Sequence, residues 1–360
     1  INTGIHTSIH LLLSLSMNLS DTLHSLPFLG IITLMIVPVL HGCESLHLED
    51  GSFTDAVTVP VKVAVHGKTE AQESGLDMLV FHKDRLQYLE CWQRVPFPGN
   101  GEVAVASMTG EKVLMACSGL ESTPEDWMWV SSISSLTDAW CALEKESADS
   151  PVMSGSCSFH AGRTTEERPE LVLRSISSEI HLRSLKCDFS GKPYEGEKLS
   201  DIHVYLTNVN AEIPILEDEE GGPRRIINAG GLCEEDVDAF ACRDIIVQNI
   251  RNGIGKSVIY PDIRLRCYRN EGIKESPGTP FTRLVIEGML DGELYYWPID
   301  INRDADSHEY GVLGGHRYIY DIKITRKGSS DPDIPVRTED FVISQKIAEW
   351  REKENYAVVF

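Results

Sequence analysis

The chain has 360 residues, with 33 Lys and Arg against 55 Asp and Glu, a formal charge of −22, and 42% hydrophobic residues. That length carries about two domains and a sizeable core. The acidity repels nucleic acid and anionic lipid, and the composition excludes a disordered or fibrous chain.

Phe28 to Leu40 (FLGIITLMIVPVL) carries no charge. It is shorter than the ~20 residues of a membrane-spanning helix and suits a signal-peptide core. Leu40-His41-Gly42-Cys43 follows at once and resembles a bacterial lipobox. Residues 1–42 are therefore expected to be a signal peptide, translated from Met17, with Cys43 as the acylated residue. Acidic Glu44, Glu49 and Asp50 fit a surface-export signal. His41, and the lack of Lys or Arg between Met17 and Cys43, depart from the usual pattern. The alternative is a buried helix that happens to meet a cysteine.

Beyond Cys43 the chain reads as β-structure. Val57, Val59, Val61, Val63 and Val65 take every second place in VTVPVKVAV, which predicts a strand with one buried face. Pro60 lies on its other face and has no N–H to give, so the strand is expected at a sheet edge or crossing between sheets. Residues 76–92 read as a strand or hairpin, 102–119 as two strands around a glycine turn, and 121–146 as a helical insert. Residues 159–170 are the candidate linker, 171–189 and 201–210 are strands, and 217–255 a surface excursion with little core of its own. Strands resume at DIRLRCYRN, TRLVIEGML, ELYYWPIDI and HRYIYDIKITRKG. The expected class is all-β, two sandwiches in tandem over 43–164 and 165–360.

Candidate chemistry is sparse. Beyond Cys43 the cysteines show no CxxC or zinc spacing and are expected to be small buried hydrophobes; Cys233 and Cys242, bracketing EEDVDAFA, are the one candidate disulfide. Residues 300–311 begin like a calcium loop but have Ala305 and Gly311 where Gly and Glu belong. The histidines form no HExxH, and the serines no GxSxG elbow. Trp127 and Trp129 could stack a sugar or simply fill the core. No enzyme, cofactor, metal or nucleic-acid partner is expected.

The succession VTVPVKVAVHGK, LDMLVFHKDRLQ, LVLRSISSEIHLRSL, RLVIEGMLDGELYYWPIDI, GGHRYIYDIKITRKGSSDPDIP and ISQKIAEWREKENYAVVF resembles the fimbrillin family, the subunits of type V pili, over residues 43–360. The resemblance implies export as a lipoprotein to the outer membrane and transthyretin-like β-sandwich domains. It also implies a protease that removes the first strand, whose groove a neighbouring subunit's C-terminal strand then fills, a form of strand addition. The removable strand would carry Val57 to Val65, each valine worth about 1.5–3 kcal/mol buried. The donor strand would carry Ile343, Ile347, Trp350, Tyr356, Val358 and Phe360, unless these residues close the chain's own sheet. Family proteases cut after arginine, yet the loop after the valines offers only Lys68, and the first arginine beyond Cys43, Arg85, falls in a predicted strand hairpin. Either a lysine-tolerant protease acts at Lys68 or the strand stays. Partners implied are other pilus subunits and a host or bacterial surface ligand. The competing function is a monomeric surface lipoprotein that binds glycan or peptide.

Overall fold

The computed structural model describes residues 56–66, 75–119, 127, 129–147, 150–162, 168–215, 223–303, 310–335 and 341–349, all within a compact unit spanning His47–Phe360. The expected signal segment (residues 1–42), Cys43, Lys68, Trp350, Tyr356, Val358 and Phe360 lie outside the described residues. No described helix is long and apolar enough to cross a membrane.

The first half contains β1 (Ala56–His66), β2 (Leu76–His82), β3 (Leu89–Val95), β4 (Glu102–Met108), β5 (Gly110–Ser118), β6 (Trp140–Ala142), β7 (Met153–Ala161) and β8 (Glu170–Ser175). All but β6 join one sheet in the order β3-β2-β5-β7-β8-β1-β4. Pairing between β7 and β8 is confined to Met153↔Ser175 and Ser154↔Arg174. Beyond that corner the strands part, so the sheet folds over into two layers, β3-β2-β5-β7 and β8-β1-β4. Gly155 stands at the corner, where a Cβ would lie 2.1 Å from the Val172 carbonyl oxygen. Between the layers, the valines of β1 meet Leu76, Met78 and Val80 of β2 and Leu114 of β5.

The second half contains β9 (Ser178–Cys187), β10 (Ser200–Thr207), β11 (Val209–Asn210), β12 (Glu212–Pro214), β13 (Ile226–Ile227), β14 (Val247–Ile250), β15 (Ile263–Cys267), β16 (Arg283–Leu290), β17 (Glu293–Asp300), β18 (His316–Ile324) and β19 (Phe341–Glu349). Two sheets, β14-β10-β16-β17 and β15-β9-β18-β19, supply most of this half. Tyr318, Tyr320, Ile322 and Ile324 alternate into their common core with Ile180 and Leu182, opposite Val204, Ile286 and Trp297. The class is all-β, as expected.

Several expectations need correction. The 121–146 stretch is not a helical insert where described: it holds a 3-10 turn (Ile133–Asp138), β6, and a second 3-10 turn (Leu143–Lys145). The Ser135 hydroxyl accepts the Ser131 and Ser132 N–H groups and donates to the Ser132 carbonyl, so local side-chain bonding displaces the helix. Trp127, Leu136 and Leu143 cover the outer face of β2 and β5, while β6 pairs with β12 through Cys141↔Ile213. Nor do residues 223–255 lack a core: Ile227, Val237, Phe240, Ile245, Ile246 and Ile254 are all buried in the second half, around the helix α1 (Glu234–Asp238). Cys233 and Cys242 are free thiols; the loop between them is closed by Arg243, which reaches Glu234 at 2.8 Å and Asp238 at 2.7 Å. Of the candidate linker, Phe159–Ala161 belongs to β7 and Glu170 to β8. Residues 171–189 form two strands, parted where the Ser175 hydroxyl donates to the Ser177 carbonyl.

Candidate functional site: the bed of the first strand

Four valines of β1 are 0–6% exposed and Val57 is half-buried, while Thr58, Pro60 and Lys62 face out. The strand lies between two neighbours. It runs antiparallel to β4 from Ala56↔Met108 to Lys62↔Glu102 and parallel to β8 from Lys62↔Glu170 to His66↔Arg174. β1 is therefore an interior strand, which corrects the simple edge expectation. Pro60 is nevertheless accommodated for the expected reason. The Lys62 N–H donates to the Pro169 carbonyl at 2.9 Å and the Val63 N–H to the Gly101 carbonyl at 2.8 Å. Alternation turns the Pro60 nitrogen toward the β8 side, ahead of the point where β8 begins to pair, so no ladder bond is lost there.

The last turn of β1 is gripped by a loop rather than a strand. Asn100 Oδ1 accepts the Val65 N–H at 2.8 Å, in a bend where Gly99 adopts φ +59°. Outside, Lys62 Nζ lies 2.7 Å from Glu170, and Arg168 lies 3.1 Å from Glu102. Both pairs are solvent-exposed; Lys62 holds the Glu170 carboxyl below the usual glutamate range.

The remaining candidates sit elsewhere. Ile343 and Ile347 lie on β19, paired with Ile322 and Tyr318 of β18, at the margin of the chain's own sheet. Arg85 is exposed in the β2–β3 turn, where the Asp84 carboxylate accepts the Leu86 and Gln87 N–H groups. Trp127 is buried and Trp129 is 46% exposed, so the two form no shared platform. Asp300, at the calcium-like stretch, accepts from Arg283 at 2.7 Å. Among the described residues no cluster of His, Cys, Asp and Glu is placed to hold a metal.

Sequence reasoning passed over the polar groups that fix the scaffold. Arg283 is almost fully buried and reaches Glu275 at 2.8 Å, Asp300 at 2.7 Å and Asp333 at 2.5 Å. Glu146 accepts from Ser177 at 2.8 Å beside Arg266 at 3.6 Å; burial pushes its carboxyl up, with Arg266 and Ser177 opposing. Lys112 and Glu90 form a third buried pair. Each is tied to structural partners.

Neither a family profile nor a curated protein matches the chain. Solved structures do. A protein assigned to cell adhesion from Parabacteroides distasonis ATCC 8503 superposes with a TM-score of 0.58 at 14% identity, covering 83% of this chain and 98% of that one. A second from Bacteroides eggerthii DSM 20697 gives 0.58 at 15% identity, covering 83% and 98%. A fimbrilin from Porphyromonas gingivalis W83 gives 0.56 at 13% identity, covering 82% and 97%. At such identities the likeness is one of architecture: the chain has the fold of these fimbrilin and cell-adhesion structures over nearly their whole length.

Proposed function

We propose that the protein is a structural, adhesive subunit of a cell-surface pilus, assembled by exchange of its first strand. One observation carries this: β1, a single continuous segment, fills the middle of a three-stranded layer with nothing but valines on its buried side. A segment so placed can be removed only if another strand takes its position, because the core beneath would otherwise open to water. In this proposal residues 1–42 direct export, Cys43 carries lipid at the outer membrane, and two transthyretin-like domains span 43–164 and 165–360. Cleavage at Lys68 frees β1. Residues from β19 onward, with Trp350, Tyr356, Val358 and Phe360, supply the strand given to the next subunit. The fold shared with a fimbrilin supports the assignment.

The test is the N-terminus and intact mass of the protein recovered from the surface of its own cells. A chain beginning at Thr69 or close by, without lipid and forming SDS-resistant ladders, is the expected result. An intact chain acylated at Cys43 and monomeric would overturn strand exchange and favour a surface lipoprotein that binds glycan or peptide.

A further inference from the structure

Lys62 is the one residue of β1 paired on both sides, with Glu102 of β4 and Glu170 of β8. Departure of β1 would leave the Glu170 carboxylate without this ammonium group, beside a second carboxylate whose partner is Arg168. On the inner side, Val59, Val61, Val63 and Val65 sit in a closed core against Leu171 and Leu173 of β8 and Val103 and Val105 of β4. Interiors of this kind are packed as densely as organic crystals, so each of the four places is shaped for a valine and resists a larger group. The backbone adds a third constraint. N–H donors are required at the places of Val63 and Val65, where Gly101 and Asn100 accept, whereas the place of Pro60 needs none.

We propose that this bed selects a strand of defined chemistry: valine-sized β-branched residues at four alternate inner places, a cationic residue on the outer face between Glu102 and Glu170, and no proline at the places of Val63 and Val65. The inference rests on the strand-exchange reading above and names its partner. The chain's own candidate donor does not meet the specification. In the alternating set Tyr356, Val358 and Phe360 two of the three members, Tyr356 and Phe360, would bring aromatic rings to valine places, and in residues 341–350 Gln345 interrupts one alternating set while Ser344 and Lys346 interrupt the other. The occupant is accordingly a strand of a different subunit, and this protein forms a junction between unlike chains.

The test starts from the full chain nicked at Lys68 by a lysine-specific protease, with the single cut verified by mass. The released strand is replaced by labelled synthetic peptides. These are residues 56–66 unchanged, the same peptide with V61F, the same with K62E, and residues 350–360. The unchanged peptide is expected to rebind, V61F about tenfold or more weaker, K62E about fivefold weaker and less so at high salt, and 350–360 not at all. Equal binding of all four would overturn the selectivity and leave strand exchange standing. Failure of the unchanged peptide to rebind would overturn strand exchange and this inference with it. Should the nicked chain unfold, the uncut protein gives the answer. K62E should lower the melting temperature and E170K should restore it in the double variant, while V61F should lower it independently. Absence of K62–E170 coupling together with a neutral V61F would overturn the proposal.

Discussion

Asn100 and Val65, 35 residues apart, are joined by a side-chain oxygen that takes the place of a neighbouring strand's carbonyl. β4 pairs with β1 only as far as Lys62, and the Asn100 loop continues the grip to the residue before His66. Asn100→Ala leaves the Val65 N–H without this acceptor, at a cost of about 1–2 kcal/mol. The expected signature is faster amide exchange at Val65 and faster cleavage at Lys68 by a lysine-specific protease. Asn100→Asp, which keeps an oxygen there, should lose much less.

Gly155 lets the first sheet turn its corner. A methyl group there meets the Val172 backbone oxygen and carbonyl carbon, at 2.1 and 2.9 Å, and neither can swing away as a side-chain tip would. Gly155→Ala should destabilise by about 2–4 kcal/mol, read as a lower denaturation midpoint. Gly191 has open space around it but a φ of +73°, so Gly191→Ala tests conformational cost alone and should lose about 1 kcal/mol.

Arg283 binds three carboxylates from three stretches of chain while its own side chain is 2% exposed. Arg283→Met retains much of the volume and leaves Glu275, Asp300 and Asp333 facing one another. Those acids are 27–44% exposed, so water relieves part of the repulsion, and a loss near the lower end of the 3–5 kcal/mol range, about 3 kcal/mol, is expected. Chemical denaturation at neutral pH measures it. Acidification should narrow the gap from the wild type, because burial raises the pKa of Asp300 and favours its neutral form.

His181 supplies a pH dependence. Its ring is mostly buried, with Nε2 2.7 Å from Asp262. Burial holds its pKa below the histidine value of 6.5, and Arg264 acts the same way, against the opposing pull of Glu179 and Asp262. The unfolded chain therefore takes the proton more readily than the folded one, so stability is full above 6.5 and falls as pH drops through 6.5 toward the folded value. His181→Gln should flatten this part of the stability profile between about pH 7 and 5, measured by thermal melts in low-salt buffer.

How much of this was legible in the sequence depended on periodicity. The β1 valines and the Tyr318-Tyr320-Ile322-Ile324 row were readable because one face is fully buried and the other is not, so alternation survives in the letters. The core under residues 223–255 was not, because Ile227, Val237, Phe240, Ile245 and Ile246 reach it from turns and one-turn helices that share no period. The serine-rich run at 131–135 misled because its hydroxyls bond the local backbone, a preference no hydrophobic pattern displays. Of the candidate site, the strand itself was visible but its fastenings were not. Asn100 lies in a Pro/Gly loop that reads as an ordinary turn, and the pairing of Glu102 and Glu170 across Lys62 exists only once three distant segments are brought together.

The placement of β1 also bears on mechanical load. Because β4 flanks its first part and β8 its second, with Lys62 common to both, a pull along the strand axis shears the backbone bonds of both ladders together. They cannot be unzipped one after another from a free end. Whatever strand occupies that place resists tension collectively, so a fibre joined there would hold under flow until a whole segment slid, and would then part all at once.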